Sequence, residues 1–395
     1  MSTYLTLAEA EAGDSSTTRS KTDGWTLTSF RHRMTESVVD LTSQLIRIDT
    51  AGHSEAEAIR LLAPILAHAG FDVETVPWLP ERSSLVAKWN GGGPFVLSGH
   101  VDTVPYGGAE WRHGALSAYQ DGARLVGRGS SDMKGGVAAI ILAATAAARR
   151  NSRGFTVVLT AGEETGCGGA QSVRKAGLMQ PPAILIIGES TANAVRLGHK
   201  GATWFELATT GLSAHGSRPE LGINAIEPLA DAITALRGVG PGALHSELGA
   251  RTISVGTISG GSQTNLVPDD ARMTVDVRPV PGAPSEPVRA VLAKFGQVDT
   301  VLELPAVWSP ADSSVTRAIA DVVRGVTGRR DEAHGVSYFT DAAVLDPSLC
   351  RSYIVGPGDP DQPHTTNESV SVVLLEQAVS IYDELLDAWD RKALR

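Results

Sequence analysis

Two imidazoles and five carboxylates stand in five short segments of this chain, and together they are the donor set of a site for divalent cations. The segments are SGHVDTVP (His100, Asp102), GRGSSDMKGG (Asp132), TAGEETG (Glu163, Glu164), ILIIGEST (Glu189) and DQPHTTNE (His364). Two imidazoles and three carboxylates suffice for a pair of ions of the zinc type. Another carboxylate is then left to take a proton from water, whose pKa falls from about 15.7 to near 7 on such an ion. Spacing alone does not decide which of Glu163 and Glu164 is ligand and which is base. Asp102 has a different role. A metal-bound imidazole donates its other N–H to a carboxylate that fixes the tautomer, and Asp102 stands two residues after His100. His113, His199, His245 and His334 lack any such context and read as structural or surface residues.

The elements that must position these groups are short apolar runs. FVLSG precedes His100, FTVVLTA precedes Glu163, and AILIIGE ends on Glu189. A single loop carboxylate is usually just solvated, but here the acids recur where apolar runs stop. Helical spacing marks residues 34–48 and 54–69, and the long Ala-rich segment GGVAAIILAATAAARR reads as a buried helix. Helices between apolar strands indicate an α/β fold, a mostly parallel sheet with helices on both faces. Ligands of such sheets bind beyond the carboxyl ends of the strands. After His199 the pattern changes to β-α-β-β-α-β, the ferredoxin-like order. The expected organisation is a polar N-terminal tail (1–33), a catalytic metal-binding domain (34–199 and 309–395) and an inserted α+β lid and dimerisation domain (200–308).

A chain of 395 residues is long enough for two cores. Its 44 acidic against 34 basic residues argue against nucleic acid or an anionic membrane as partner. No apolar run is read as a membrane span. The N-terminal segment lacks a basic start followed by an apolar core, and Cys167 and Cys350 are too few for a disulfide framework. A cytoplasmic enzyme is therefore expected.

Taken in order, SGHVDTVP, GRGSSDMKGG, GEETG, IGEST, GLSAHGSRP, the strand carrying Arg278 and PHTTNE resemble the acetylornithine deacetylase and succinyl-diaminopimelate desuccinylase family of dinuclear zinc hydrolases. Aminoacylases, dipeptidases and a glutamate-releasing carboxypeptidase are its relatives. The resemblance spans about residues 35–390. It implies His100 and Glu189 on one ion, His364 and Glu164 on the other, Asp132 bridging, a cis peptide before Met133, and Glu163 as general base. Zinc is the ion it implies, although cobalt or manganese suits the same donors.

By the same resemblance His215 stabilises the oxyanion in the partner subunit of a homodimer joined through the lid domain. Arg278 and Asn265 hold the substrate's carboxylate and polar groups, and Thr340 and Asp341 lie on the substrate loop. That loop departs from the desuccinylase form, because Tyr338 and Phe339 precede Thr340. The expected reaction is hydrolysis of an N-acyl amino acid. A dipeptidase or carboxypeptidase is the near alternative. A non-catalytic binding protein would show a lost ligand or base, and none is lost.

Overall fold

Apolar periodicity builds α1 (Val38–Arg47) and α2 (Glu55–His68), the latter followed by Gly70 at φ 96°. This computed structural model describes residues 37–330 and 334–394, so the expected tail and the first residues of the helix expected from Met34 lie outside it. A hairpin follows, β1 (Asp72–Leu79) and β2 (Arg82–Trp89). Next come β3 (Phe95–His100), the short β4 (Tyr119–Asp121) and β5 (Arg124–Val126), and helix α3 (Gly135–Arg149). Then β6 (Phe155–Thr160), α4 (Gly168–Ala176), β7 (Ile184–Ile187) and β8 (Arg196–His199) complete the first half.

The large sheet has the order β1-β2-β6-β3-β7, continued by β15 (Ser352–Ile354), β8 and β13 (Val307–Trp308), with β14 (His334–Val336) beside β8. Its centre, β6-β3-β7-β15, is parallel. Every residue of β3, β6 and β7 is buried, as expected of strands covered on both faces. Antiparallel partners flank this centre on both sides. Helix α3 has apolar residues all round and packs in the main core with α9 (Val372–Asp390). The stretch Ser130–Arg149 is long and apolar enough to cross a bilayer, which corrects the expectation of no such run. Yet 83% of that window is buried inside the protein, as in the core helix of a globular domain.

A second sheet holds β9 (Ala202–Thr210), β10 (Thr252–Gly260), β11 (Asp270–Arg278) and β12 (Gln297–Leu304) in the antiparallel order β10-β11-β9-β12. Helices α5 (Ile226–Leu236) and α6 (Glu286–Leu292) join its core with Leu229, Leu236, Val288 and Leu292. The order is that of the ferredoxin-like fold. The large sheet resumes at β13, two residues before the Ser309 at which the sequence pattern was expected to return. Helix α7 (Ser314–Thr327) and the single turn α8 (Ala342–Leu345) precede β15. A small third sheet pairs β16 (Ser369–Ser371) with β5, and β5 with β4.

The loop carrying Glu163 and Glu164 is fixed by packing under Trp78. A Cβ on Gly162, whose φ is 69°, or on Gly168 would lie 2.1 Å from that indole ring. Gly168→Ala is therefore expected to cost about 1–3 kcal/mol through overpacking, read as a lower urea midpoint at unchanged slope.

Candidate metal centre and active site

His100 is the last residue of β3, Glu163 and Glu164 follow β6, and Glu189 follows β7. Three neighbouring parallel strands thus deliver their acids to one edge of the sheet. Asp132 arrives on the turn Ser130–Lys134, whose Asp132–Met133 peptide is cis, and His364 on the segment before β16.

The donor atoms converge in two groups around Asp132. His100 Nε2 lies 3.2 Å from Asp132 Oδ1 and 3.1 Å from Glu189 Oε1. His364 Nε2 lies 3.3 Å from Asp132 Oδ2 and 3.1 Å from Glu164 Oε2. Ligand atoms around a tetrahedral ion, at about 2.0–2.1 Å from it, stand roughly 3.3 Å apart. The residues therefore fit two divalent cations with Asp132 shared between them. A further sign is Glu164 Oε1, which is buried without a hydrogen-bond partner. His100 also groups with Glu163 and Glu189, their candidate ligand atoms all within 4.8 Å.

Burial and mutual charge shift the protonation of this cluster. Burial pushes the Glu163 carboxyl well above the usual range, and Glu189 and Glu164 add to it while His100 opposes. Burial, then Asp132, raises Glu189 to about 7. Burial would raise Asp132 too, but hydrogen bonds from His100 and His364 hold it below the ordinary carboxylate value. Hydrogen bonds to Asp132 and Glu164 in turn push His364 up to about 10. The imidazoles supply positive charge that the acids demand, a role two cations would take over.

The glutamate pair divides by geometry. Glu164 meets His364, whereas no protein donor reaches the carboxyl oxygens of Glu163 among the described residues. Asp102 holds the pair in place. Its two carboxylate oxygens accept the backbone N–H groups of Glu163 and Glu164 at 3.2 and 3.1 Å. Its backbone carbonyl lies 3.0 Å from His100 Nδ1, while its carboxylate is 3.5 Å from that nitrogen. The main-chain oxygen thus sets the tautomer, and the carboxylate positions the loop bearing the base.

Thr340 and Asp341 do not line the cleft, in contrast to the expectation of substrate contact. Both are buried, at 0% and 2% exposure. Asp341 accepts a hydrogen bond from Thr160 at the end of β6, and the Thr340 hydroxyl accepts from Ala342 N. They brace the floor of the site because their loop turns inward into α8. Arg278 stands at the end of β11 with its guanidinium 5.5 Å from the centre of the Phe339 ring. His215 and Asn265 are exposed and adjacent, joined by the Gly216 N–H donating to the Asn265 carbonyl at 2.8 Å.

Glu368 had no expected role, although it lies inside the quoted DQPHTTNE segment. Its buried carboxylate accepts the N–H groups of Gly129, Ser131 and Asp132 at 3.0, 2.8 and 3.0 Å, and Arg128 Nη1 at 2.8 Å. It ties the His364 segment to the turn that presents Asp132. The signal was an acid four residues after a candidate ligand, which sequence cannot tell from a surface charge. Glu368→Ala, by stranding buried Arg128, is expected to destabilise by about 3–5 kcal/mol. Cation affinity should fall about 10–100-fold as well, measured by calorimetric titration.

The family model described as peptidase family M20/M25/M40 matches residues 96–388. An acetylornithine deacetylase of Salmonella arizonae is 30% identical over 342 residues, covering 80% of this chain and 86% of its own length. One from Vibrio atlanticus is 28% identical over 350 residues, covering 83% and 90%. Among solved structures, an M20 family metallo-carboxypeptidase from Sulfolobus solfataricus superposes with a TM-score of 0.76 at 17% identity, covering 90% of this chain and all of that one. A dinuclear metal-binding M20 peptidase from Bacillus subtilis gives 0.67 at 16% identity, covering 92% and 99%.

Proposed function

From the premise that this chain belongs to peptidase family M20/M25/M40 and is a metal-dependent hydrolase of amide bonds, we propose that it removes the acyl group from an N-acyl amino acid. The observation that carries the proposal is the pair of donor groups sharing Asp132, with the unengaged carboxylate of Glu163 beside them. The curated relatives named acetylornithine deacetylase support deacylation over peptide cleavage. Two free cysteines, one of them buried, support a cytoplasmic setting.

Two divalent cations, zinc in this proposal, would supply Lewis acidity and a more acidic water when bound. His100 and Glu189 would hold one, His364 and Glu164 the other, with Asp132 placed to serve both. Glu163 takes the proton of the attacking water and returns it to the leaving amine. Arg278 receives the α-carboxylate, its guanidinium matched to two parallel hydrogen bonds.

His215 is assigned to the carbonyl oxygen. Its Nδ1 accepts the Ser217 N–H at 3.1 Å and lies 2.8 Å from the Ser217 hydroxyl, so the neutral ring carries its proton on Nε2 and presents a donor. Within one chain it is badly placed. His215 and Asn265 lie beside the start of β11, while Arg278 ends it, roughly 27 Å along the strand. Supply of His215 by a second copy resolves this, and β10 leaves an exposed edge with Ile258 half uncovered for such a copy. Equal mixing of His215→Ala with Glu163→Gln is then expected to recover about a quarter of wild-type activity, half the dimers being hybrids with one complete site each. No recovery in verified hybrids would remove the in-trans assignment.

The proposal is tested by offering the zinc-loaded protein N-acetyl, N-succinyl, N-formyl and aromatic N-acyl amino acids beside dipeptides, with a chelated control. Chelator-sensitive cleavage of the N-acyl compounds supports deacylation. Cleavage confined to dipeptides assigns a peptidase instead.

A further inference from the structure

Tyr338 and Phe339 take part in none of the steps above, yet they stand between the carboxylate anchor and the cation ligands. The Tyr338 hydroxyl donates to the carbonyl of Ser190 at 3.2 Å, and Ser190 follows Glu189 directly. Burial, with Glu189, Asp132 and Glu163 close by, pushes this phenol well above its usual range. Its hydroxyl end is therefore enclosed next to the donor cluster. The residue as a whole nonetheless keeps 36% of its surface exposed, one of the few large apolar groups that do.

Phe339 turns the other way and packs against the second core cluster of the large domain. The Arg278 guanidinium lies over its ring at 5.5 Å, and Asp276 Oδ2 accepts a hydrogen bond from Arg278 Nε at 3.1 Å. Neither Nη atom of Arg278 has a protein hydrogen-bond partner among the described residues. The planar fork is held from two sides with its outer donors open, an arrangement suited to a carboxylate.

We infer that Tyr338 is a specificity-determining wall, whose exposed ring receives an apolar, preferentially aromatic, side chain of the amino acid held by Arg278. The inference rests on the N-acyl amino acid reading of the site. Phe339 touches the carboxylate anchor and the Tyr338 hydroxyl touches the residue after Glu189, so these two neighbouring residues link anchor and cation ligands, with the Tyr338 ring on the cation side of that interval. That interval is where the substituent on the substrate's α-carbon lies. An aromatic face there rewards offset stacking and apolar burial.

The test offers phenylalanine and ornithine as leaving amino acids, each as its N-acetyl and its N-glycyl derivative, to the zinc-loaded wild type, Tyr338→Ser and Tyr338→Phe. Wild type is expected to favour phenylalanine at least about tenfold in kcat/KM. Tyr338→Ser should bring that ratio close to one, chiefly by raising KM for the phenylalanine compound, while Tyr338→Phe, which keeps the ring, should retain it. Calorimetric binding of the same compounds to Glu163→Gln gives the ratio without turnover. A ratio unchanged in Tyr338→Ser, or ornithine preferred by wild type, overturns the inference. Cleavage of the glycyl and not the acetyl compounds overturns deacylation instead, and the phenylalanine-to-ornithine ratio still tests the wall.

Discussion

Glu163→Gln is expected to lower kcat by about 10²–10⁴-fold, the range for loss of a general base, while both cations remain bound. The amide keeps the shape of the side chain but cannot accept the water's proton. Glu163 alone among the clustered glutamates meets neither imidazole through a direct contact below 3.5 Å, whereas Glu164 pairs with His364 and Glu189 with His100. Its backbone N–H is held by Asp102, which the substitution leaves untouched. Metal content measured beside the rate separates the two roles. A variant that loses turnover together with a cation makes Glu163 a ligand, and one retaining substantial turnover removes it as the base.

Asp132→Ala is expected to do more, reducing activity to background and lowering affinity for both cations together. Asp132 is the one described group with an oxygen beside each imidazole, at 3.2 and 3.3 Å. Removing it leaves each half with one histidine and one glutamate. Loss of a ligand should exceed the about 10–100-fold seen when only a ligand's outer partner is removed. Glu189→Ala is the informative contrast, since Glu189 pairs with His100 alone. Equilibrium dialysis against zinc should show Asp132→Ala weakened at two sites and Glu189→Ala at one. Equal loss at a single site in both variants would contradict a shared ligand.

The α/β architecture and its ferredoxin-like companion were legible because fully apolar runs ended in acids and the element order changed after His199. The hairpin partner β2 was missed, since RSSLVAKW mixes polar and apolar residues and only its pairing with β1 and β6 makes it a strand. The donor cluster was legible from motif spacing and resemblance. The roles of the second layer were not. Asp102 could be read only as an orienter of His100, because sequence shows no N–H groups of Glu163 and Glu164 folding back onto it. Thr340 and Asp341 were expected at the substrate because their segment matched a substrate loop. Whether a loop residue points into the cleft or beneath it depends on tertiary contacts such as that with Thr160. Glu368 escaped notice for the same reason, its partners lying more than two hundred residues away in sequence.

The central claim is a pair of cations sharing Asp132 beside a free Glu163. Its most direct test is titration of zinc into metal-free protein, with heat and hydrolysis of an N-acyl amino acid followed together. Two equivalents bound per chain are expected, with hydrolysis that appears as the sites fill and vanishes on chelation. Full hydrolysis in the presence of a chelator, or saturation without any second equivalent, would contradict it.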